Sequence, residues 1–75
     1  MKIIDYTLYI HRYRRHLSFD KVEDLREELS GYFTKSEIAS GIVDRLTDFS
    51  HKRPRDGIIT NSYQDIEVSC YVEEE

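Results

Sequence analysis

Two stretches of alternation, one near each end of the chain, constrain the fold more than anything between them. Residues 2–10, KIIDYTLYI, put Ile4, Tyr6, Leu8 and Ile10 on one side and Asp5, Thr7 and Tyr9 on the other. Residues 65–72, DIEVSCYV, put Ile66, Val68, Cys70 and Val72 on one side and Asp65, Glu67, Ser69 and Tyr71 on the other. A period of two is the mark of a strand with one buried face. GIIT, 57–60, is also strand-like, and NSYQ, 61–64, leaves open whether 58–72 is one bent strand or a hairpin.

Between these stretches the period lengthens. Val22, Leu25, Leu29 and Tyr32 or Phe33 recur at helical spacing, with Asp20, Glu23, Asp24, Glu27 and Glu28 on the other faces. This predicts a first helix over 19–31, capped by Ser18 or by an Asp20/Glu23 capping box and ended at Gly31. TKSE, 34–37, has capping-box spacing and opens a second helix. Its stripe is Ile38, Ile42, Leu46 and Phe49, widened by Ala39 and Val43. Gly41 inside that helix costs about 1 kcal/mol relative to Ala, which close backbone approach would explain. SHKRPRDG, 50–57, ends the helix, because the residue before Pro54 disfavours the helical region and Asp-Gly is a turn dipeptide.

The expected fold is α+β, a single domain over 1–75 with an acidic tail at 73–75. Its order is β-α-α-β, with a further strand if 58–72 folds back, giving an antiparallel sheet of two or three strands packed on an αα-hairpin. A chain of 75 residues has a limited core, and one cysteine, Cys70, makes no intramolecular disulfide. A homodimer through a sheet edge is therefore expected to supplement the core. A lone thiol, no apolar run of about 18 residues and no signal-peptide pattern lead to a cytoplasmic, membrane-free expectation.

Chemistry is sparse in the pattern. His11, His16, His51 and Cys70 fall at no zinc or Cys–His spacing, and three glycines form no phosphate-cradling loop. The chain is expected to be no enzyme and to hold no metal or cofactor. The distinctive stretch is IHRYRRHLS, 10–18, which gathers three arginines, two histidines and a tyrosine in a chain of net charge −4. The alternation of the first strand fails after Ile10, because Arg12 and Arg14 cannot continue the buried face of a small core. In the expected topology Arg12, Arg14 and Arg15 meet Lys52, Arg53 and Arg55 at one end of the sheet, with His11, His16 and His51 at the rim. Tyr9, Tyr13 and Tyr71, with Tyr63 as a further candidate, fall on the uncovered sheet face.

Tyrosine and arginine are enriched at binding hot spots. The expected partner surface is therefore Tyr9, His11, Arg12, Tyr13, Arg14, Arg15, Lys52, Arg53, Arg55 and Tyr71, and the expected function is non-enzymatic protein binding. In genre, a tiny charged chain without catalytic motifs resembles phage and mobile-element accessory proteins, many of which inhibit a host protein by occlusion. The first alternative is a nucleic-acid-binding protein using Arg12–Arg15 and Lys52–Arg55. The second is an acidic nucleic-acid mimic using the first helix and the tail.

Overall fold

The structure, a computed structural model, describes residues 2–50 and 57–73. The order is β1 (Lys2–Ile10), β2 (Arg15–Phe19), α1 (Val22–Ser30), α2 (Lys35–Ala39), α3 (Ile42–Leu46), β3 (Ile58–Tyr63) and β4 (Ile66–Glu73). All four strands form one antiparallel sheet in the order β2-β1-β4-β3. Its central seam joins the first strand to the last, from Lys2 beside Glu73 to Ile10 beside Ile66.

One sheet face carries the core. Leu8 and Ile10 of β1, Ile59 of β3, and Ile66, Val68, Cys70 and Val72 of β4 pack with Leu25 and Leu29 of α1, Ile42, Val43 and Leu46 of α3, and Phe49. The β4 pattern follows its alternation residue for residue, since burying one face of a pleated strand sends every second side chain outward. On the other face, Ser18, Thr7, Ser69 and Thr60 stand in one row across the four strands. Thr60 Oγ1 and Ser69 Oγ lie 3.0 Å apart within that row.

Among the described residues Asn61 is the one buried polar side chain, on the inner face of β3. Its Nδ2 donates to the carbonyl oxygens of Leu46 at 2.9 Å and Asp48 at 3.1 Å. A helix leaves its last carbonyls without intrahelical donors. Asn61 supplies a donor to that of Leu46 and a second to Asp48 just past the helix, and so ties the end of α3 to β3. Arg26 of α1 reaches across to Asp44 and to Thr47 Oγ1, joining the first helix to the third.

The four strands correct the expected two or three. The additional strand is β2, which occupies the second half of the arginine-rich stretch and runs to Phe19, where the expected first helix starts. Leu17 and Phe19 alternate with exposed His16 and Ser18 and pack against the core, so RHLSF is a short amphipathic strand. The first helix is accordingly Val22–Ser30, with Lys21 at its N-cap and no side-chain cap, so neither Ser18 nor an Asp20/Glu23 box caps it. Gly31 does end α1, but with φ −74° rather than in the left-handed region.

The expected second helix is interrupted. Thr34 and Glu37 form the reciprocal capping box, and Gly41 then takes φ 88°, which divides the segment into α2 and α3. A Cβ on Gly41 would meet nothing within 4 Å, so its role is conformational and not close approach. The break leaves Ile38 40% exposed and Ala39 exposed, while Ile42, Leu46 and Phe49 stay in the core. At the start of β1 a register shift between Ile3 and Asp5 likewise turns Ile4 out to 53% exposure. A bulge resets the phase of alternation on one side of it.

Residues 58–72 fold back as a hairpin. Gln64 and Asp65 form the turn, and Gln64 has φ 54°. Among the described residues no helix is long and apolar enough to cross a membrane.

Candidate functional site

The IHRYRRHLS stretch is the turn of the β1–β2 hairpin. β1 stops at Ile10, His11–Tyr13 make one turn of 3-10 helix, and Arg14 adopts the left-handed region at φ 49°, ψ 39°. The Arg14 N–H donates to the His11 carbonyl at 3.1 Å, closing the turn. Hairpin loops of this kind put glycine or asparagine at the left-handed position, because a Cβ there crowds the following carbonyl. An arginine at such a point is a strained choice.

Beside this turn lies the β3–β4 turn, brought there by the pairing of β1 with β4. The His11 N–H donates to the Asp65 carbonyl at 2.9 Å, and the Arg12 N–H to Asp65 Oδ2 at 3.2 Å. The Arg12 guanidinium grips the same carboxylate with both edges, Nε to Oδ2 at 2.7 Å and Nη2 to Oδ1 at 2.9 Å. This is the bidentate fork of charge-assisted recognition. It holds the Asp65 carboxyl below its usual range, the side-chain hydrogen bond from Arg12 being the main cause, and it raises the guanidinium in turn.

Two neighbouring side chains of the turn also meet carboxylates. His11 Nε2 lies 3.4 Å from Glu67 Oε1. Arg15 Nη2 lies 3.2 Å from Glu28 Oε1, which also accepts from the Tyr32 hydroxyl at 3.0 Å. Burial pushes the Tyr32 phenol up, and its hydrogen bond to Glu28 adds to the rise. Two of the three arginines, Arg12 and Arg15, thus face the carboxylates of Asp65 and Glu28, and His11 faces Glu67. Only Arg14 makes no ion pair among the described residues.

Aromatic rings surround the turn. The Tyr9 ring meets His11 edge-on, 4.4 Å between centroids at 88°, and lies 6.0 Å from His16. Arg12 sits 5.6 Å over the Tyr13 ring, and Tyr13 lies 6.4 Å from Tyr32. An open groove of about 570 Å³ runs between the turn and the end of α1, lined by Tyr13, Arg14, Arg15, Gly31 and Tyr32.

The sequence-derived residues are therefore only partly assembled. Tyr9, His11, Arg12, Tyr13, Arg14 and Arg15 come together at the hairpin tip. Tyr71 is exposed on the outer face beside Asp5 and Ile58, four positions along β4 from the Glu67 that pairs with Tyr9, about 13 Å at strand spacing. Tyr63 turns inward and packs its ring 6.1 Å from Phe33, so it does not belong to the outer face.

His51, Lys52, Arg53 and Arg55 lie outside the described residues. The described residue that follows them, Gly57, accepts from the Val72 N–H at 2.8 Å, near the end of the sheet where Ile3 pairs with Val72. The end carrying the arginine turn receives the β3–β4 turn instead. The expected topology starts the last strand beside Ile10 directly from the basic loop, whereas here the strand that starts beside Ile10 follows the Gln64–Asp65 turn. Asp65, Glu28, Tyr32 and Gly31 enter the site without having been foreseen. Asp65 and Tyr32 each follow a turn signal, the helix-ending Gly31 in the case of Tyr32, but only the tertiary fold puts them beside residues 12–15.

Cys70, the one cysteine, is fully enclosed by the core, and burial raises its thiol. No cluster of three or more histidine, cysteine or carboxylate side chains suited to a metal occurs among the described residues. Comparison with known proteins finds no family model that matches the chain, and no curated protein or solved structure to which it is similar.

Proposed function

We propose that the chain is a non-enzymatic protein-binding module that acts by occluding a surface of its partner, with the β1–β2 turn and its groove as the contact. The observation that carries this is charge matching at the turn. Arg12 and Arg15 are held by Asp65 and Glu28, and Glu67 faces His11, so the arginine cluster offers rigid, partly exposed Tyr and Arg side chains and little net field. Such anchors are the material of protein hot spots. A nucleic-acid surface depends on uncompensated cations that displace counterions, and the net charge of −4 opposes a polyanion at long range. Dimerisation along an edge strand of the sheet belongs to the same proposal. Light scattering that returns only 9.0 kDa at micromolar concentration would remove it.

The test pairs two measurements. Fluorescence anisotropy with labelled single-stranded and duplex oligonucleotides should show no saturable binding at physiological salt, about 0.15 M. Affinity capture from nuclease-treated host extract should retain a protein that a Tyr13→Ser/Arg14→Ser variant of unchanged melting temperature does not retain. Tight oligonucleotide binding that weakens steeply with salt would instead establish the nucleic-acid alternative.

A further inference from the structure

Arg14 and Arg15 are adjacent in sequence, yet both line the groove at the hairpin tip. Successive side chains of a regular strand leave on opposite faces. The left-handed backbone of Arg14 breaks that alternation and lets two guanidiniums serve one wall. The aromatic members are Tyr13, 62% exposed, and Tyr32. Glu28 demonstrates what this wall holds, since one carboxylate oxygen takes both the Arg15 guanidinium and the Tyr32 hydroxyl. Glu28 balances Arg15, and Arg14 is left as the groove's unmatched cation among the described residues.

We propose that this groove binds an acidic segment of the partner protein, with one Asp or Glu carboxylate paired to Arg14 and its neighbours laid over Tyr13 and Tyr32. The proposal rests on the protein-binding function above and names the chemistry of that partner. Charge complementarity selects the occupant. Two arginines against Glu28 leave one positive charge, which suits a single carboxylate. A polynucleotide would bring a phosphate at every residue toward Glu28, Asp65 and Glu67. The net charge of −4 also disfavours an acidic segment over most of the remaining surface, so Arg14 sets its register.

The experiment uses the isotopically labelled full chain and three probes followed by NMR: an alternating Glu-Tyr octapeptide, an alternating Lys-Tyr octapeptide and an octathymidylate. The Glu-Tyr peptide should shift the amides of Tyr13, Arg14, Arg15, Gly31 and Tyr32 and the Arg14 side-chain N–H saturably, and the Lys-Tyr peptide should not. Arg14→Ser should weaken Glu-Tyr binding by about tenfold or more, the loss of one charge-assisted pair. Arg45→Ser, which removes a groove-distant arginine with no ion pair among the described residues, should leave affinity unchanged. Equal loss in the two variants, or shifts centred elsewhere, overturns the proposal. Octathymidylate binding at the same residues more tightly than the peptide overturns it together with the protein-binding function. A Glu-Tyr peptide that causes no shift, while partner capture still depends on Arg14, overturns the acidic-segment assignment and leaves that function standing.

Discussion

Asn61 offers the sharpest test of how this small core is held. Asn61→Leu keeps a side chain of similar size on the inner face of β3 and removes both donors to the Leu46 and Asp48 carbonyls. Each hydrogen bond contributes a net ~1 kcal/mol, and a buried carbonyl left dry costs a further ~1–2 kcal/mol, partly offset by the better burial of leucine. The expected loss is about 2–3 kcal/mol, which in a domain of this size lowers the melting temperature by about 10–20 °C. Asn61→Asp is more informative, because it is nearly isosteric and aims a carboxylate at two carbonyl oxygens. Desolvation and repulsion of the ionised form raise its folded-state pKa above the unfolded value of about 3.9. The folded state then keeps a proton that the unfolded chain has released. Stability of this variant is highest below that unfolded value and falls as pH rises through the raised folded one. Urea melts followed by circular dichroism at acidic and neutral pH measure both effects, with exposed Ser62→Ala as a control expected within about 0.5 kcal/mol of wild type. An Asn61→Leu protein within about 0.5 kcal/mol of wild type, or an Asn61→Asp protein that does not gain stability relative to wild type on acidification, would refute this account of the α3 end.

Two further outcomes follow from the turns. The Arg12 fork depresses the Asp65 pKa, so the stabilisation from this clasp is present above the ordinary carboxylate value and is lost as pH falls through the lower folded value. The urea midpoint of Asp65→Asn should lie below wild type at neutral pH and converge on it in acid, and an NMR titration that finds an ordinary Asp65 pKa would disprove the clasp. Arg14→Gly and Gln64→Gly relieve left-handed strain of about 1–2 kcal/mol and add back up to about 1 kcal/mol of chain entropy, so each should stabilise by about 0.5–1 kcal/mol at unchanged denaturant slope. A loss of stability in either variant would mean that the residue does not occupy that conformation.

The inner face of β4 was legible because its alternation runs unbroken from Ile66 to Val72, and the Thr34/Glu37 capping box because both partners are local. What misled was punctuation carried by the wrong residue types. Left-handed turn positions are usually announced by glycine or asparagine, and here Arg14 and Gln64 occupy them, so residues 11–16 read as the end of the first strand without a return strand, and 61–64 as undecided. Gly41 is a glycine that does mark a left-handed break, but the Ile38-to-Phe49 periodicity ran straight through it. In the candidate site, residues 11–15 stand out by composition alone. Their partners do not, because Asp65, Glu67 and Glu28 reach them only through pairing of β1 with β4 and packing of α1 beside β2, and neither leaves a local trace in the sequence.

The seam between β1 and β4 also decides when the fold can exist. The β1–β2 and β3–β4 hairpins close over a few residues each, whereas joining Ile10 to Ile66 requires the whole helical segment between them to be traversed. Loop closure of that length precedes the contacts that reward it, so the central seam carries a larger closure cost than either hairpin. A ribosome must release residues 66–72 before Leu8 and Ile10 have a strand to cover them. Until then the arginine turn is displayed on a hairpin without a core, and the carboxylate of Asp65 that will clasp it has not arrived.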